Sequence, residues 1–468
     1  MTDLIRLSAC EVVALLDQGS IMPSEALDAL EARITDVDGC INALPTLCFE
    51  RAYEHADRLM TLPVTDRGLL RGLPVPIKDL TMVSGVRTTF GSKVHEHMVP
   101  EVSDVLVKTL EGNGGIVYAK SNTPEFGAGG NTFNDVFGAT RNPHDLSRTA
   151  GGSSGGATAA LASGTAWLAH GSDLAGSLRT PASFCGVTSL RPSPGLIASG
   201  PSALAFEVQF QQGPMARNIL DLALFTDALV GESSMAGLCK PLRQESFSSA
   251  AACPKRPARV AFSSDLGITE TSPEVLSVCQ MVMVKLEQNR ITVEQNHPDL
   301  TGVDEAFDVS RALGYAITLG ENLDKTRHLL KPELVWNVEQ GLALDGAAIR
   351  RSMIIQAQLF ERAAKFMQDY DLLICPAAIV PAIPVEERYL GYSKGVEISD
   401  YYRWLAITYA ITVTTLPVIT IPCGKTPDGL PIGVQLIGSP HGDQHLFALA
   451  SYIEQLLEYD TRPINPLG

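Results

Sequence analysis

Two periodicities divide this chain. Between residues 8 and 60 apolar side chains recur at helical spacing: Val12, Val13, Leu15 and Leu16 follow Ser8 and Glu11, a pair spaced as a capping box, and Ala26, Leu27, Leu30 and Ile34 follow Ser24. Both stretches read as scaffold helices without chemistry. From Gly72 onward short apolar runs alternate with helical patterns: a run at 75–80, a helix over 103–111 and a second run at 115–119. That rhythm predicts a sheet covered by helices.

The alternation continues through a small-residue segment after Gly156, an apolar run at 166–169 and a helix near 221–224. A serine-rich, loop-like stretch at 232–256 precedes a strand at 259–262, and helical periodicity then fills 275–287 and 304–362. A buried strand at 370–376 and adjacent strands at 416–424 and 431–438, joined by an Asp428-Gly429 turn, restore the sheet pattern. The expectation is an α/β fold.

Composition narrows the function. With 45% hydrophobic and 19% charged residues in a chain of 468, a large folded core is expected, and the net charge of −16 argues against a general nucleic-acid or anionic-membrane surface. The nine cysteines form no C-x-x-C pair, so neither a disulfide framework nor a zinc site is indicated, and reduced, mostly buried thiols are expected. The first residues lack a basic stretch followed by an apolar core, and no apolar run has spanning length, so a cytoplasmic location is expected. No cofactor or metal is indicated.

The densest chemical signal lies at 149–192. Two serine-bearing glycine turns, Gly151-Gly152-Ser153-Ser154-Gly155-Gly156 and Asp173-Leu174-Ala175-Gly176-Ser177, flank an alanine-rich segment. Such turns let the backbone approach a bound group and offer several N–H groups at once. If Ser177 opens a helix, its hydroxyl sits where unpaired N–H groups favour developing negative charge, as an acyl-transfer nucleophile requires. Taken alone, the run at 151–156 reads as a flexible loop. It is not a phosphate cradle, because no Gly-Lys-Ser/Thr follows, and the stretch holds no G-x-S-x-G nucleophile elbow. Upstream, Lys78 is the only lysine before Lys93 and sits in an apolar run, where a charged end is costly to bury.

Together these motifs resemble the amidase signature family. Residues 171–182 follow its pattern G-[ST]-D-x-G-G-S-[IL]-R-x-P-A with Ala175 in place of a glycine, and the spacing from Ser153 to Ser177 matches. The segments 72–79 (GLPVPIKD) and 120–125 (KSNTPE) match as well. The resemblance covers about residues 8–230 and 365–455. It implies one compact α/β domain with a large twisted mixed β-sheet flanked by helices: N-terminal helices at 8–60, a core at about 60–230 and 365–455, and a variable helical region at about 231–365 that shapes the substrate entrance. It further implies that Ser177 is the nucleophile, that Ser153 bridges it to Lys78, and that neutral Lys78 is the ultimate base. A cis peptide is expected between Gly152 and Ser153. Backbone N–H groups of Leu174, Ala175, Gly176 and Ser177 would hold the oxyanion, which Ala175 permits only if it avoids positive φ. Ser154, Asp173 and Arg179 would support the site, Lys120 would be structural, and Phe126, Gly127, Ala128 and Gly129 would line part of the pocket. His441, Asp443 and His445 would belong to a closing surface helix, with Asp443 as its N-terminal acid.

The implied activity is hydrolysis of the C–N bond of a small, apolar or aromatic amide or anilide, with carbamates and esters as further substrates. The implied partner is that small molecule, with no nucleic acid and no membrane, in a monomer or homodimer. Two alternatives share the signature: the glutaminase subunit of a tRNA-dependent amidotransferase, and a carbamate-hydrolysing enzyme. The family's N-x-x-G before the C-terminal strands is replaced by Thr412-Val413-Thr414-Thr415, which argues against the amidotransferase. A binding protein with a dead site is disfavoured because all three catalytic positions are present.

Overall fold

The computed structural model describes residues 4–240, 245–391 and 401–468. Its first long helix, Ala9–Asp17, carries the anticipated box: Ser8 Oγ accepts the Glu11 N–H at 3.1 Å, and the Glu11 carboxylate accepts the Ser8 N–H at 2.7 Å. The second, Pro23–Ile41, starts ahead of Ser24, because Pro23 fits the first helical position and Glu25 accepts the Met22 N–H at 2.7 Å. A third helix, Phe49–Met60, escapes the sequence reading: its buried face, Phe49, Ala52, Ala56 and Leu59, is half alanine and lies among charged residues.

The main sheet has eight strands in the order Thr292–Gln295, Arg259–Phe262, Leu372–Pro376, Pro431–Ile437, Val418–Lys425, Thr188–Arg191, Gln211–Ala216, Leu168–Asp173. Arg259–Phe262 is parallel to both neighbours and the other pairs are antiparallel, so the sheet is mixed. The helices Arg179–Cys185, Pro273–Gln288 and Asp443–Leu457 pack against Val418–Lys425 and Pro431–Ile437. Coverage by helices is why these strands read as continuous apolar runs.

Asp443–Leu457 is not a surface helix. Leu446, Phe447, Leu449, Ala450 and Ile453 are buried, and Asp443 is itself buried, accepting the Ser193 N–H at 2.7 Å. Among the described residues no cluster of three His, Cys, Asp or Glu side chains could hold a metal ion. The cysteines are free, but only Cys185, Cys279 and Cys375 are buried, fewer than expected, and Cys253 is exposed. The serine-rich stretch at 232–256 holds a short helix, Phe247–Ala251, and its residues 241–244 lie outside the described ones. Among the described residues no helix is long and apolar enough to cross a membrane.

A second sheet of three strands, Thr46–Leu47, Ile116–Ser121 and Pro74–Lys78, positions the chemistry. Pro74–Lys78 runs parallel to Ile116–Ser121 with a register shift between Val75 and Ile77, where Pro76 has no N–H to donate. Beyond it lies Leu168–Asp173, the edge strand of the main sheet: the Lys78 N–H points to His170 Nδ1 at 3.4 Å. Lys78 therefore stands where the edges of two sheets meet.

Candidate active site

Lys78 is fully buried, and its Nζ lies 2.7 Å from Ser153 Oγ, 2.8 Å from Ser154 Oγ, 3.1 Å from Ser172 Oγ and 3.4 Å from Ser172 O. No carboxylate is within ion-pair distance of it among the described residues. Burial holds its pKa well below the ordinary lysine value, and the more distant Asp173 opposes this only in part. Ser154 thus touches the amine directly rather than supporting it from behind. Ser172 goes unnoticed in the sequence reading, although it lies in the matched motif, because its motif position tolerates Ser or Thr without announcing a role.

His170, behind the amine, is kept neutral by burial, which lowers its pKa to about 3 against the opposing hydrogen bond to Gln212. Lys120, the other buried lysine of this region, does not reach the serines. It pairs with Asp79 at 3.4 Å and donates to Thr81 O and Thr88 Oγ1.

The two glycine turns are joined by the Ser154 N–H, which donates to Ser177 O at 3.2 Å. The peptide between Gly152 and Ser153 is cis. Ser177 sits just ahead of the helix Arg179–Cys185, whose first N–H groups, on Arg179 and Thr180, donate to Gly176 O at 2.9 and 2.8 Å. Ser153 and Ser177 line one cavity, and no hydrogen bond joins their hydroxyls among the described residues.

Asp173 organises the second turn. Its carboxylate accepts the N–H groups of Gly176 and Leu178, both at 3.0 Å, and two nitrogens of Arg179 at 3.0 and 2.8 Å, with Arg191 at 3.2 Å. Burial alone would raise its pKa, but Arg179 and Arg191 outweigh it and hold the carboxyl well below the usual range. The Gly176 N–H is consequently directed at Asp173. Of the expected oxyanion donors, Leu174, Ala175 and Ser177 keep N–H groups without a protein partner among the described residues. Ala175 is absent from the residues with positive φ, and Gly176 takes the left-handed conformation instead, with φ of 109°. A Cβ on Gly176 would meet Thr408 Oγ1 at 2.3 Å.

Arg179 also donates to Thr408 O at 2.7 Å, Gln435 Oε1 at 2.8 Å and Thr412 Oγ1 at 2.7 Å. Thr412, the departure from the family pattern, is a ligand of this buried guanidinium. No local motif points to Thr408, Thr412 or Gln435, since they reach Arg179 from the opposite end of the chain.

The cavity over the serines has a volume of about 400 Å³ and an apolar wall that includes Leu80, Met82, Phe90, Phe126, Ile197 and Phe210. Phe90 and Phe126 stack with centroids 5.8 Å apart. Phe126 and Gly127 line it, but Ala128 and Gly129 do not. Ala128 is buried in a cluster with Leu323, Leu334 and Val338, and the nearest atom to a Cβ on Gly129 would be Lys331 Nζ at 3.9 Å. The left-handed turns at Gly127 and Gly129, φ of 70° and 106°, carry the chain away from the cavity. The helix Val303–Leu319 also lines the cavity, with Ser310, Arg311, Gly314 and Tyr315.

This α/β architecture, with a buried lysine against serines at the edge of an apolar cavity, has clear relatives. The amidase family matches residues 25–447. An acylamidase of Rhodococcus erythropolis is 31% identical over 98% of each chain, and one component of the glutamyl-tRNA(Gln) amidotransferase of Moorella thermoacetica is 31% identical over 98% of each. Among solved structures, a 6-aminohexanoate cyclic dimer hydrolase superposes with a TM-score of 0.89 at 25% identity over 99% of each chain. A bacterial aryl acylamidase of the amidase signature family superposes with a TM-score of 0.88 at 23% identity over 96% of each, a likeness of fold. The chain belongs to the amidase family and is an amide hydrolase.

Proposed function

We propose that the protein hydrolyses small amides with apolar or aromatic groups through a Ser177 acyl-enzyme, with Ser153 and neutral Lys78 as the proton relay. The observation that carries this reading is the fully buried Lys78 amine, 2.7 Å from Ser153 Oγ, beside a cavity that Ser177 also lines. In the first step Ser177 Oγ bonds to the carbonyl carbon while its proton passes through Ser153 to Lys78. Collapse of the tetrahedral intermediate breaks the C–N bond, and the proton returns along the same path to the leaving amine. Water then attacks the acyl-enzyme and releases the acid. N–H groups of Leu174, Ala175 and Ser177 stand free to meet the oxyanion. Closing the gap between the Ser153 and Ser177 hydroxyls falls to bound substrate, since catalytic hydrogen bonds often tighten only in the complex.

The wall of Leu80, Phe90 and Phe126 supports an apolar or aromatic group, and the named acylamidase relative accords with an amide. Carbamates and esters present the same carbonyl chemistry and remain within the reading, as do a cytoplasmic location and a monomeric or homodimeric state. A panel of chromogenic anilides, carbamates and esters, run with the wild type and Ser177→Ala, tests it: turnover lost only with Ser177 supports the proposal, and equal hydrolysis by both proteins ends it.

The amidotransferase relative favours one other reading, a glutaminase component of a larger assembly. Hydrolysis of anilides by the purified chain alone eliminates that reading; hydrolysis of glutamine only, and only with an added partner, would establish it.

A further inference from the structure

The cavity wall carries one cationic lysine or arginine among the described residues, Arg311. Its side chain is almost wholly buried, at 3% exposure. Nε donates to Asn337 Oδ1 at 3.0 Å and one terminal nitrogen donates to Tyr401 Oη at 2.5 Å, while the rings of Tyr402, Tyr315 and Tyr401 lie 4.7, 5.1 and 5.4 Å from the guanidinium carbon. Each of these partners is neutral at pH 7. No carboxylate stands within ion-pair distance among the described residues, and the guanidinium's further hydrogen-bonding contact is with the Tyr315 hydroxyl, also neutral.

This differs from the chain's other deeply buried arginines at the site. Arg179 and Arg191 share the Asp173 carboxylate. A buried cation without a counter-ion is expensive, and rings and neutral oxygens compensate it only in part. The cavity's own acids do not serve. Asp104 accepts the Leu106 and Gly200 N–H groups at 2.8 and 3.2 Å, and Glu207 accepts the Gln209 N–H at 2.6 Å. Glu125 and Glu333 act on Tyr315 and Tyr401, but neither pairs with Arg311 among the described residues, so an anion in the cavity would supply the charge it lacks.

We propose that Arg311 is the anion-binding residue of this cavity and that the preferred amides carry a carboxylate, which the cavity-lining guanidinium takes. The neutral tyrosine and asparagine partners fix the guanidinium's orientation while leaving its charge unspent. Aryl and alkyl parts of the substrate then pack on Leu80, Phe90 and Phe126, and the carboxylate on Arg311 sets which end of the amide faces Ser177. This inference rests on the amidase reading of the cavity.

The test uses 4-nitroanilides of succinic, glutaric and adipic acid, each beside its methyl ester, which is neutral but close in shape. On Ser177→Ala, calorimetry is expected to show at least one free acid binding about tenfold or more tightly than its ester, the worth of a charge-assisted hydrogen bond. With the wild type the same acid is expected to have the lower KM. Adding Arg311→Met should bring the acid-to-ester ratio close to one, and Arg311→Lys should keep part of the preference. Equal binding of acid and ester across all three lengths overturns the proposal, a result that does not depend on whether the Arg311 variants fold. So does an unchanged ratio in a folded Arg311→Met protein. Preferential binding of an acid that the wild type never hydrolyses would instead overturn the amidase reading and leave the carboxylate site standing.

Discussion

The Lys78 amine and the Ser153 hydroxyl stand 2.7 Å apart, with the amine fully buried and no carboxylate paired to it among the described residues. An ammonium there would lose its hydration and gain only hydroxyl and carbonyl oxygens, so the neutral form is favoured. Neutral lysine can accept a proton from Ser153. Lys78→Ala and Ser153→Ala are each expected to lower kcat by about 10²–10⁴, the usual worth of positioned proton transfer, and Ser177→Ala to abolish turnover. Anilide hydrolysis by folded variants measures this. Trapping with hydroxylamine gives the hydroxamate of the acyl group, and its absence from the wild type would count against the acyl-enzyme.

The same amine predicts the pH dependence. Activity should fall as pH drops through the lowered Lys78 pKa and stay level above it, because in the proposed relay only the neutral amine can take the proton. Stability follows with a definite sign. Between the lowered folded value and the ordinary 10.5, the unfolded chain holds a proton at this lysine that the folded chain does not, so stability rises with pH across that window. Urea titrations of the wild type and Lys78→Met at several pH values should show the wild type carrying this extra upward slope. Parallel curves would mean that Lys78 is charged when folded.

How much of this is legible in the sequence depends on how far apart the partners lie. Ser153, Ser177 and Lys78 sit in motifs where glycine, proline and apolar neighbours impose local geometry, and the strands of the core read as apolar runs. The network around Asp173 is half visible: Arg179 is in the motif, but Arg191, Thr408, Thr412 and Gln435 come from other strands and a distant helix. Ala128 and Gly129 read as pocket residues because the glycine-rich loop looks continuous, yet a left-handed turn at Gly127 redirects it. The helix Phe49–Met60 is legible as well, since Phe49, Ala52, Ala56 and Leu59 recur at helical spacing among charged residues, and it escapes notice only because its large apolar side chains are few. Arg311 carries no local signature, since its meaning lies in what surrounds it.

Asp173 ties the second glycine turn to the main sheet, and Asp173→Asn should show its weight. The change leaves Arg179 and Arg191 buried without their shared counter-ion. Breaking one side of such a pair costs about 3–5 kcal/mol. Because its folded pKa is held below the ordinary 3.8, the contribution is complete above that value and is lost as pH falls through the folded value. Urea unfolding at neutral pH should therefore show the full loss. A variant as stable as the wild type would mean that the two arginines find other partners.

Gly176 and Ala175 offer a paired test of the turn that holds Ser177. Gly176 has φ of 109°, and a Cβ there would stand 2.3 Å from Thr408 Oγ1, whose hydroxyl already donates to Ala175 O at 2.6 Å. Gly176→Ala must therefore move either the turn or the helix Ala406–Thr414 that carries Thr408. Either shift displaces Ser177 from the free N–H groups beside it, and misplacement by about 1 Å can cost around a hundredfold in rate. Ala175 lies outside the positive-φ region, so Ala175→Gly restores the family's commoner residue without relieving any strain. The expected outcome is a kcat reduced by about a hundredfold in Gly176→Ala and within a few-fold of the wild type in Ala175→Gly. Stopped-flow measurement of acylation on a nitroanilide would locate the loss in the chemical step. If Ala175→Gly is the more damaging of the two, the alanine methyl is packing the oxyanion turn in a way that its backbone conformation does not explain.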